Sequence, residues 1–309
     1  MAVPKFIYIN HFMKTLLALL LLIPSLSFSE INRGNDTSSN VSENSVVDKY
    51  FDDVLEFAVS NSVSTLMHEV GHYYIDILDI PTFGQEEDMA DSFITMYLIH
   101  KPEQYGDDYE AYEYYSSHDH NYIKGIVNNF FYLMLLGRDI EYISGTHSND
   151  KKRFYNIICG MKDGNPEVFK EFVSSRDINY ELDYDCEVGV HTDIWNSWSK
   201  YLTDMWHGDG AEYIGKFILN YEDPKIDNTG EVIDFYPGLL KVELEKVSER
   251  LFNDFHIQLP TDVSINFRYC DGEINAFYYP GYYEIDFCYE LFEDYLLTAL
   301  DIYYLKESL

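Results

Sequence analysis

Apolar residues recur at helical spacing along most of the chain after residue 45. The clearest stretch predicts a helix over about 62–79, where Val63, Leu66 and Val70 fall on one face and no proline intervenes before Pro81. An apolar-periodic stretch from about Val46 predicts a helix that leads into it. The same pattern predicts further helices at about 85–100, 123–136, 149–161, 166–174, 183–204, 237–255 and 290–305.

The hydrophobic period changes from helical to alternating near the C-terminal end. Val263, Ile265 and Phe267 alternate with polar residues, and two later runs do the same on either side of Pro280-Gly281. These runs predict a small antiparallel sheet. Polar and Gly-rich or Tyr-rich stretches predict loops at about 103–120 and 207–230. The fold class expected is α+β and predominantly helical, with a single domain over residues 46–309.

The first 45 residues differ in composition from the rest of the chain. Lys14 precedes an apolar run at 16–23, and small residues at 27 and 29 suit a cleavage site, so residues 1–29 are predicted to be a signal peptide. The apolar run is short for a membrane span, although an uncleaved anchor is the alternative. Residues 30–45 are polar and predict a flexible leader. The mature protein is therefore expected to be exported, periplasmic or secreted, and without stable membrane insertion.

The formal net charge of −33 and the pI of about 4.4 disfavour nucleic acid and anionic membrane surfaces as partners. Export permits disulfides, and four cysteines allow three pairings. The pairs Cys159–Cys186 and Cys270–Cys288 are favoured because each joins near neighbours in the sequence, and free buried thiols are the alternative.

The strongest chemical signal is the motif H-E-x-x-H at His68, Glu69 and His72. On a helix the two histidines are one turn apart, so both imidazoles leave the same face, as two ligands of one zinc ion require. Glu69 is then placed to act as a general base on a water at the metal. The competing interpretation is two histidines and a glutamate on a partly buried helix.

A third ligand is predicted in the next helix. Glu87 and Asp91 are spaced i, i+4 and share a face, which suits a Glu that completes a His/His/Glu site and an Asp that orients a ligand imidazole. Glu86 and Asp88 are rival ligands. The competing interpretation is a solvated helix start, where carboxylates are favourable in any case.

Three runs resemble a family of exported bacterial proteins classed as zinc metallopeptidases: HEVGHYYIDILDIPTFGQEEDMAD, HSNDKKRFYNIICG and CDGEINAFYYPGYYEIDFCYEL. The segment E-x-x-A-D is similar to the third-ligand helix of zincins of the gluzincin kind. The resemblance implies a zincin-like fold, zinc at His68, His72 and Glu87, and a catalytic carboxylate at Glu69.

The segment Asn275-Ala276-Phe277 and its Pro-Gly turn resemble a hairpin that precedes the H-E-x-x-H helix in membrane-associated and periplasmic zincins. Here it follows that helix, as a circular permutation would place it. An unrelated hairpin is an equally good interpretation.

The function predicted is zinc-dependent hydrolysis of peptide bonds in a peptide or protein substrate. Candidates for stabilising the oxyanion are His147, Arg153, Tyr278 and Tyr289. His147 is slightly favoured because it lies in a stretch shared with the resembling family, and the competing interpretation is a capping or loop histidine before Ser148. The alternatives are a non-catalytic binding protein with a structural zinc, and a metal-dependent hydrolase of something other than peptides.

Overall fold

A computed structural model describes residues 46–82, 86–99, 122–129, 150–174, 186, 190–206, 215–223 and 259–308. Residues Lys49–Leu309 form one compact unit. The predicted signal peptide and leader, the predicted loop at 103–120 and the predicted helix at 237–255 lie outside the described residues.

The longest helix, α1, is Val46–Ile77 and has 32 residues. It joins the two helical stretches predicted from Val46 and over 62–79 into one, since neither proline nor glycine occurs in it before Gly71. It ends in a Schellman motif: Asp79 has a φ of 48°, and the N–H of Ile80 donates to the carbonyl of Ile75 at 3.0 Å. The buried side chain of Ile80 then fixes the direction in which the chain leaves.

The remaining described helices follow the predicted order. They are α2 Glu86–Leu98, α3 at 122–129, α4 Asp150–Gly164, α5 Pro166–Ser174, α6 Val190–Trp206 and α7 Tyr289–Ser308. Helix α2 packs against α4 and α6, and α4 also packs against α5 and α6. In the part of the chain that the structure describes, no helix is both long and apolar enough to cross a membrane.

The sheet is mixed, which corrects the prediction of an antiparallel sheet. Its strands are β1 Phe217–Tyr221, β2 Val263–Arg268, β3 Ala276–Tyr279 and β4 Glu284–Cys288, in the order β1-β2-β4-β3. Only β3 and β4 pair antiparallel, through the Pro-Gly turn, whereas β1 with β2 and β2 with β4 are parallel. Strand β1 also falls inside the loop predicted at 207–230. The α+β class and the predominance of helix agree with the prediction.

One face of the sheet belongs to the core. Val263, Ile265 and Phe267 on β2 are fully buried, as are Ile285 and Phe287 on β4. Alternation in the sequence therefore identified the correct inward face of both strands. Strand β3 is an edge strand among the described strands, and the hydroxyl of its Tyr278 donates to the carboxylate of Asp76 on α1 at 2.7 Å.

Two disulfides hold the described residues together. Cys159 on α4 is bonded to Cys186, and Cys270 after β2 is bonded to Cys288 at the end of β4. These are the pairs that the sequence favoured. Disulfides are compatible with an exported protein.

Candidate metal centre

Three side chains from α1 and α2 converge on one point. The Nε2 atoms of His68 and His72 are 3.1 Å apart, and Oε2 of Glu87 lies 3.0 Å from the first and 3.2 Å from the second. In the described part of the chain this is the group of His, Cys, Asp and Glu side chains whose geometry could hold a metal ion. The helical spacing predicted the two histidines, and the i, i+4 pair on α2 predicted the glutamate.

The triangle of ligand atoms matches the size of a tetrahedral metal site. Zinc bonds of about 2.0–2.1 Å to nitrogen and oxygen at tetrahedral angles give ligand–ligand distances of about 3.3 Å. The three observed distances, 3.0–3.2 Å, are slightly shorter than that value. Without a cation, two imidazole nitrogens and a carboxylate oxygen at these distances would place several lone pairs against one another. Among the described residues, these three side chains therefore fit a divalent ion of the size of zinc.

Each histidine is oriented through its other ring nitrogen. Nδ1 of His68 donates to Oδ1 of Asp91 at 2.8 Å, and Nδ1 of His72 donates to Oε1 of Glu86 at 2.7 Å. In the neutral form of each imidazole, Nε2 then has its lone pair directed at Glu87 and available to a metal ion. A proton on Nε2 of His68 would instead be donated to Glu87. Asp91 thus occupies the position expected from the sequence.

The two rival ligands of the sequence prediction have other partners. Glu86 contacts the outer nitrogen of His72 rather than the metal position, and its side chain is half exposed. Asp88 pairs with Lys152 at 2.5 Å. Glu87 is therefore the carboxylate of α2 that the structure brings to the two Nε2 atoms.

The buried charges around His68 favour its cationic form in the metal-free protein. Burial alone would lower the pKa of His68, but hydrogen bonds to Asp91 and Glu87 outweigh it and raise that pKa to about 9. Burial would raise the pKa of Asp91, but the Arg153 guanidinium and His68 hold it well below its usual range. The site thus presents an anionic environment that a proton or a metal cation can neutralise.

Arg153, on α4, has contacts that differ from the role predicted for it from the sequence. It was a candidate for stabilising an oxyanion, but its Nε and Nη2 donate to the two oxygens of Asp91 at 2.7 and 2.8 Å. It therefore lies behind His68, on the far side of Asp91 from the ligand atoms. Sequence reasoning missed this pairing because Arg153 and Asp91 are 62 positions apart.

Glu69 lies beside the ligands in a nearly dry environment, with 7% of its surface exposed. Burial raises the pKa of its carboxyl group, and a hydrogen bond from the backbone of Tyr278 on β3 acts in the opposite direction. A carboxyl group with a raised pKa is a stronger base than an ordinary exposed glutamate. The contact also places the edge strand β3 next to the motif helix.

Gly71 permits the two ligand-bearing helices to approach each other. A Cβ at this position would lie 3.0 Å from both the Cα and the carbonyl oxygen of Ala90, and 3.2 Å from Cβ of Phe93. Ala90 is one turn beyond Glu87, so the closeness at Gly71 sets the distance between Glu87 and the histidines. A glycine inside a helix lowers the stability of the helix by about 1 kcal/mol relative to alanine. Gly71 within a long helix was therefore a sequence sign of a close contact at this position, which the sequence prediction did not include.

Two of the other predicted oxyanion candidates, Tyr278 and Tyr289, are among the described residues. His147 lies outside the described residues. The hydroxyl of Tyr289 donates to the carbonyl oxygen of Glu222, beyond the end of β1. Tyr278 is close to α1, and its hydroxyl is bound to Asp76, one turn after His72.

A family model described as "Putative metallopeptidase" matches residues 29–202, more than half of the chain. The matched span contains every side chain of the candidate metal centre and ends before the sheet. No curated protein and no solved structure matches the chain at a significant level. The geometry of the site and the family match agree, and the chain belongs to this metallopeptidase family.

Proposed function

We propose that the protein is a zinc-dependent peptidase, with zinc bound by His68, His72 and Glu87. The observation that carries the proposal is the triangle of three ligand atoms, 3.0–3.2 Å apart, next to the buried carboxyl group of Glu69. Three protein ligands with an open fourth position are typical of catalytic zinc, whereas structural zinc sites have four protein ligands.

Bound zinc would supply Lewis acidity, which lowers the pKa of water and polarises a carbonyl group. The side chains of the protein would have the other roles in the reaction. Asp91 and Glu86 hold the two imidazoles in the tautomer that presents Nε2. Glu69 accepts a proton from the attacking water at its carboxylate and delivers it to the leaving amine. Burial of Glu69 matches this role, because it raises the pKa of the carboxyl group and so makes the carboxylate a stronger base toward the attacking water.

Strand β3 is the proposed contact for an extended substrate. It is an edge strand among the described strands, and the backbone of Tyr278 lies beside Glu69. An extended peptide can add to such an edge through main-chain hydrogen bonds. The Tyr278 phenol, bound to Asp76 on the motif helix, is the oxyanion candidate proposed among the described residues, and its hydroxyl would have to leave Asp76 to donate to an oxyanion.

The proposal includes a zincin-like arrangement with a permuted sheet, and the same contacts support it. The Asn-Ala-Phe hairpin lies far from the motif in sequence, yet its strand contacts the motif helix through Tyr278. This contact supports a circular permutation over an unrelated hairpin. The proposed substrate is a peptide or protein, and the proposed location is outside the cytoplasm, after removal of residues 1–29.

The test is a comparison of wild type with Glu69→Gln, using proteome-derived peptides and mass spectrometry to detect new termini. We expect the variant to retain zinc and to lose at least about 100-fold in hydrolysis, since a general base contributes about 10²–10⁴-fold. Glu56→Gln is the matched control, because it makes the same change on the same helix, at a carboxylate outside the ligand group. Equal cleavage by wild type and Glu69→Gln would remove Glu69 from the mechanism. Zinc binding without any cleavage by wild type would favour the structural-zinc alternative.

A further inference from the structure

We propose that Arg153 is a positioning residue that sets the affinity of the metal centre, acting through Asp91 on His68. The inference rests on the proposed metal site and adds to it a residue from a third helix. Arg153 binds both oxygens of Asp91, with Nε on Oδ2 at 2.7 Å and Nη2 on Oδ1 at 2.8 Å. Such a bidentate pair fixes the plane of a carboxylate as well as its position.

One oxygen of Asp91 links the arginine to the metal ligand. Oδ1 accepts from Nη2 of Arg153 and from Nδ1 of His68, both at 2.8 Å. The Asp91 side chain is 5% exposed, so water does not substitute readily for either partner. When the carboxylate plane is fixed, the Nδ1–H bond fixes the rotation of the imidazole and hence the direction of its Nε2 lone pair. Removal of Arg153 frees the Asp91 carboxylate to rotate and lets the ring of His68 follow it.

The neighbouring residue provides a built-in comparison. Lys152 also comes from the first turn of α4 and also pairs with an aspartate of α2, Asp88, at 2.5 Å. Its side chain is 53% exposed, and Asp88 is not a member of the ligand group. Both residues therefore connect α4 to α2 with a cation and an aspartate, but only the Arg153 pair includes a contact to His68. A general loss of α4–α2 packing would affect both variants, whereas a positioning effect would affect one.

The experiment measures zinc affinity of the full chain by competition with a chromophoric chelator. Variants are Arg153→Ala, Arg153→Lys and Lys152→Ala, each compared with wild type. Thermal unfolding in excess EDTA reports separately on the stability of the metal-free fold. We expect Arg153→Ala to weaken zinc binding about 10-fold, at the low end of the 10- to 100-fold range for residues that orient a ligand. Lys152→Ala should stay within about twofold of wild type, because exposed ion pairs contribute little.

Arg153→Lys keeps the charge and removes the planar fork, so it separates orientation from electrostatics. We expect about a threefold or larger loss of affinity for this variant, with a metal-free unfolding temperature near that of wild type. It also covers the case in which Arg153→Ala does not fold. In the Asp91→Ala background, Arg153→Ala should cause no further loss, since the pathway to His68 is already broken.

The experiment distinguishes failure of the proposed function from failure of this inference. A wild-type protein that binds no zinc would overturn the proposed function itself. Two results would overturn this inference and leave the metal site in place, provided that wild type binds zinc. In the first, Arg153→Lys binds zinc with the affinity of wild type. In the second, Arg153→Ala binds zinc no more weakly than Lys152→Ala does.

Discussion

Gly71→Ala tests whether the separation of α1 and α2 sets the geometry of the metal centre. The added Cβ would lie 3.0 Å from the Cα and the carbonyl oxygen of Ala90, both backbone atoms that cannot rotate away. To reach an ordinary contact of about 3.4 Å or more, the helices must separate by about 0.4 Å. Metal-ligand distances tolerate about 0.2 Å, so Glu87 would be displaced beyond that limit relative to the histidines.

Two opposing effects set the expected change in stability. Overpacking costs about 1–3 kcal/mol, and the better helix propensity of alanine returns about 1 kcal/mol. A net loss of about 1 kcal/mol lowers the unfolding temperature by about 2–4 °C in EDTA for a domain of this size. We expect zinc affinity to fall in addition, on the order of tenfold.

The matched control is Gly125→Ala, which adds a methyl group between α3 and α1, about two turns before His68. Its Cβ would meet the side chain of Ser60 at a distance that requires Ser60 to move. This variant should lose stability in EDTA but keep the zinc affinity of wild type. If Gly71→Ala binds zinc as wild type does, or if both variants lose affinity equally, the close approach at Gly71 does not control the site.

Further outcomes follow from the same structure. Glu87→Ala should lose its metal on purification while Glu86→Ala keeps at least half, as metal analysis of the two proteins would show; equal contents contradict the ligand assignment. At a free zinc concentration of about 100 times its Kd, bound zinc should raise the free energy of unfolding by about 2.7 kcal/mol, and EDTA should remove this stabilisation. Melting curves with and without EDTA measure it, and identical curves would show that the site binds no ion. Replacing Cys270 and Cys288 with serine should cost about 2–5 kcal/mol in urea unfolding, because a loop of 18 residues is no longer closed; an unchanged midpoint would show that the bond is dispensable.

The local part of the metal centre was predictable from the sequence because helical geometry fixes it. Spacings of i, i+4 place His68 with His72 and Glu87 with Asp91, whatever the rest of the fold does. The sequence also limited the choice of a third ligand to one acidic segment. It could not show which carboxylate faces the histidines, because that depends on how two helices pack.

The contacts that required the structure join residues far apart in sequence. The pairing of Arg153 with Asp91 and the contact of Tyr278 with Asp76 are of this kind. Alternation indicated which face of β2 and β4 is buried, but it carries no information on whether a neighbouring strand is parallel. Strand β1 was missed because Phe217–Tyr221 is a short apolar run with no clear alternation, between stretches rich in Gly, Asp and Asn.

The central claim is that His68, His72 and Glu87 together bind one divalent ion. Native mass spectrometry of the purified chain, first stripped with chelator and then supplied with one equivalent of zinc, tests it most directly. The account predicts one zinc per chain for wild type and a metal-free spectrum for His72→Ala under the same conditions. A wild-type chain that takes up no zinc, or a His72→Ala chain that retains it equally well, would contradict the account.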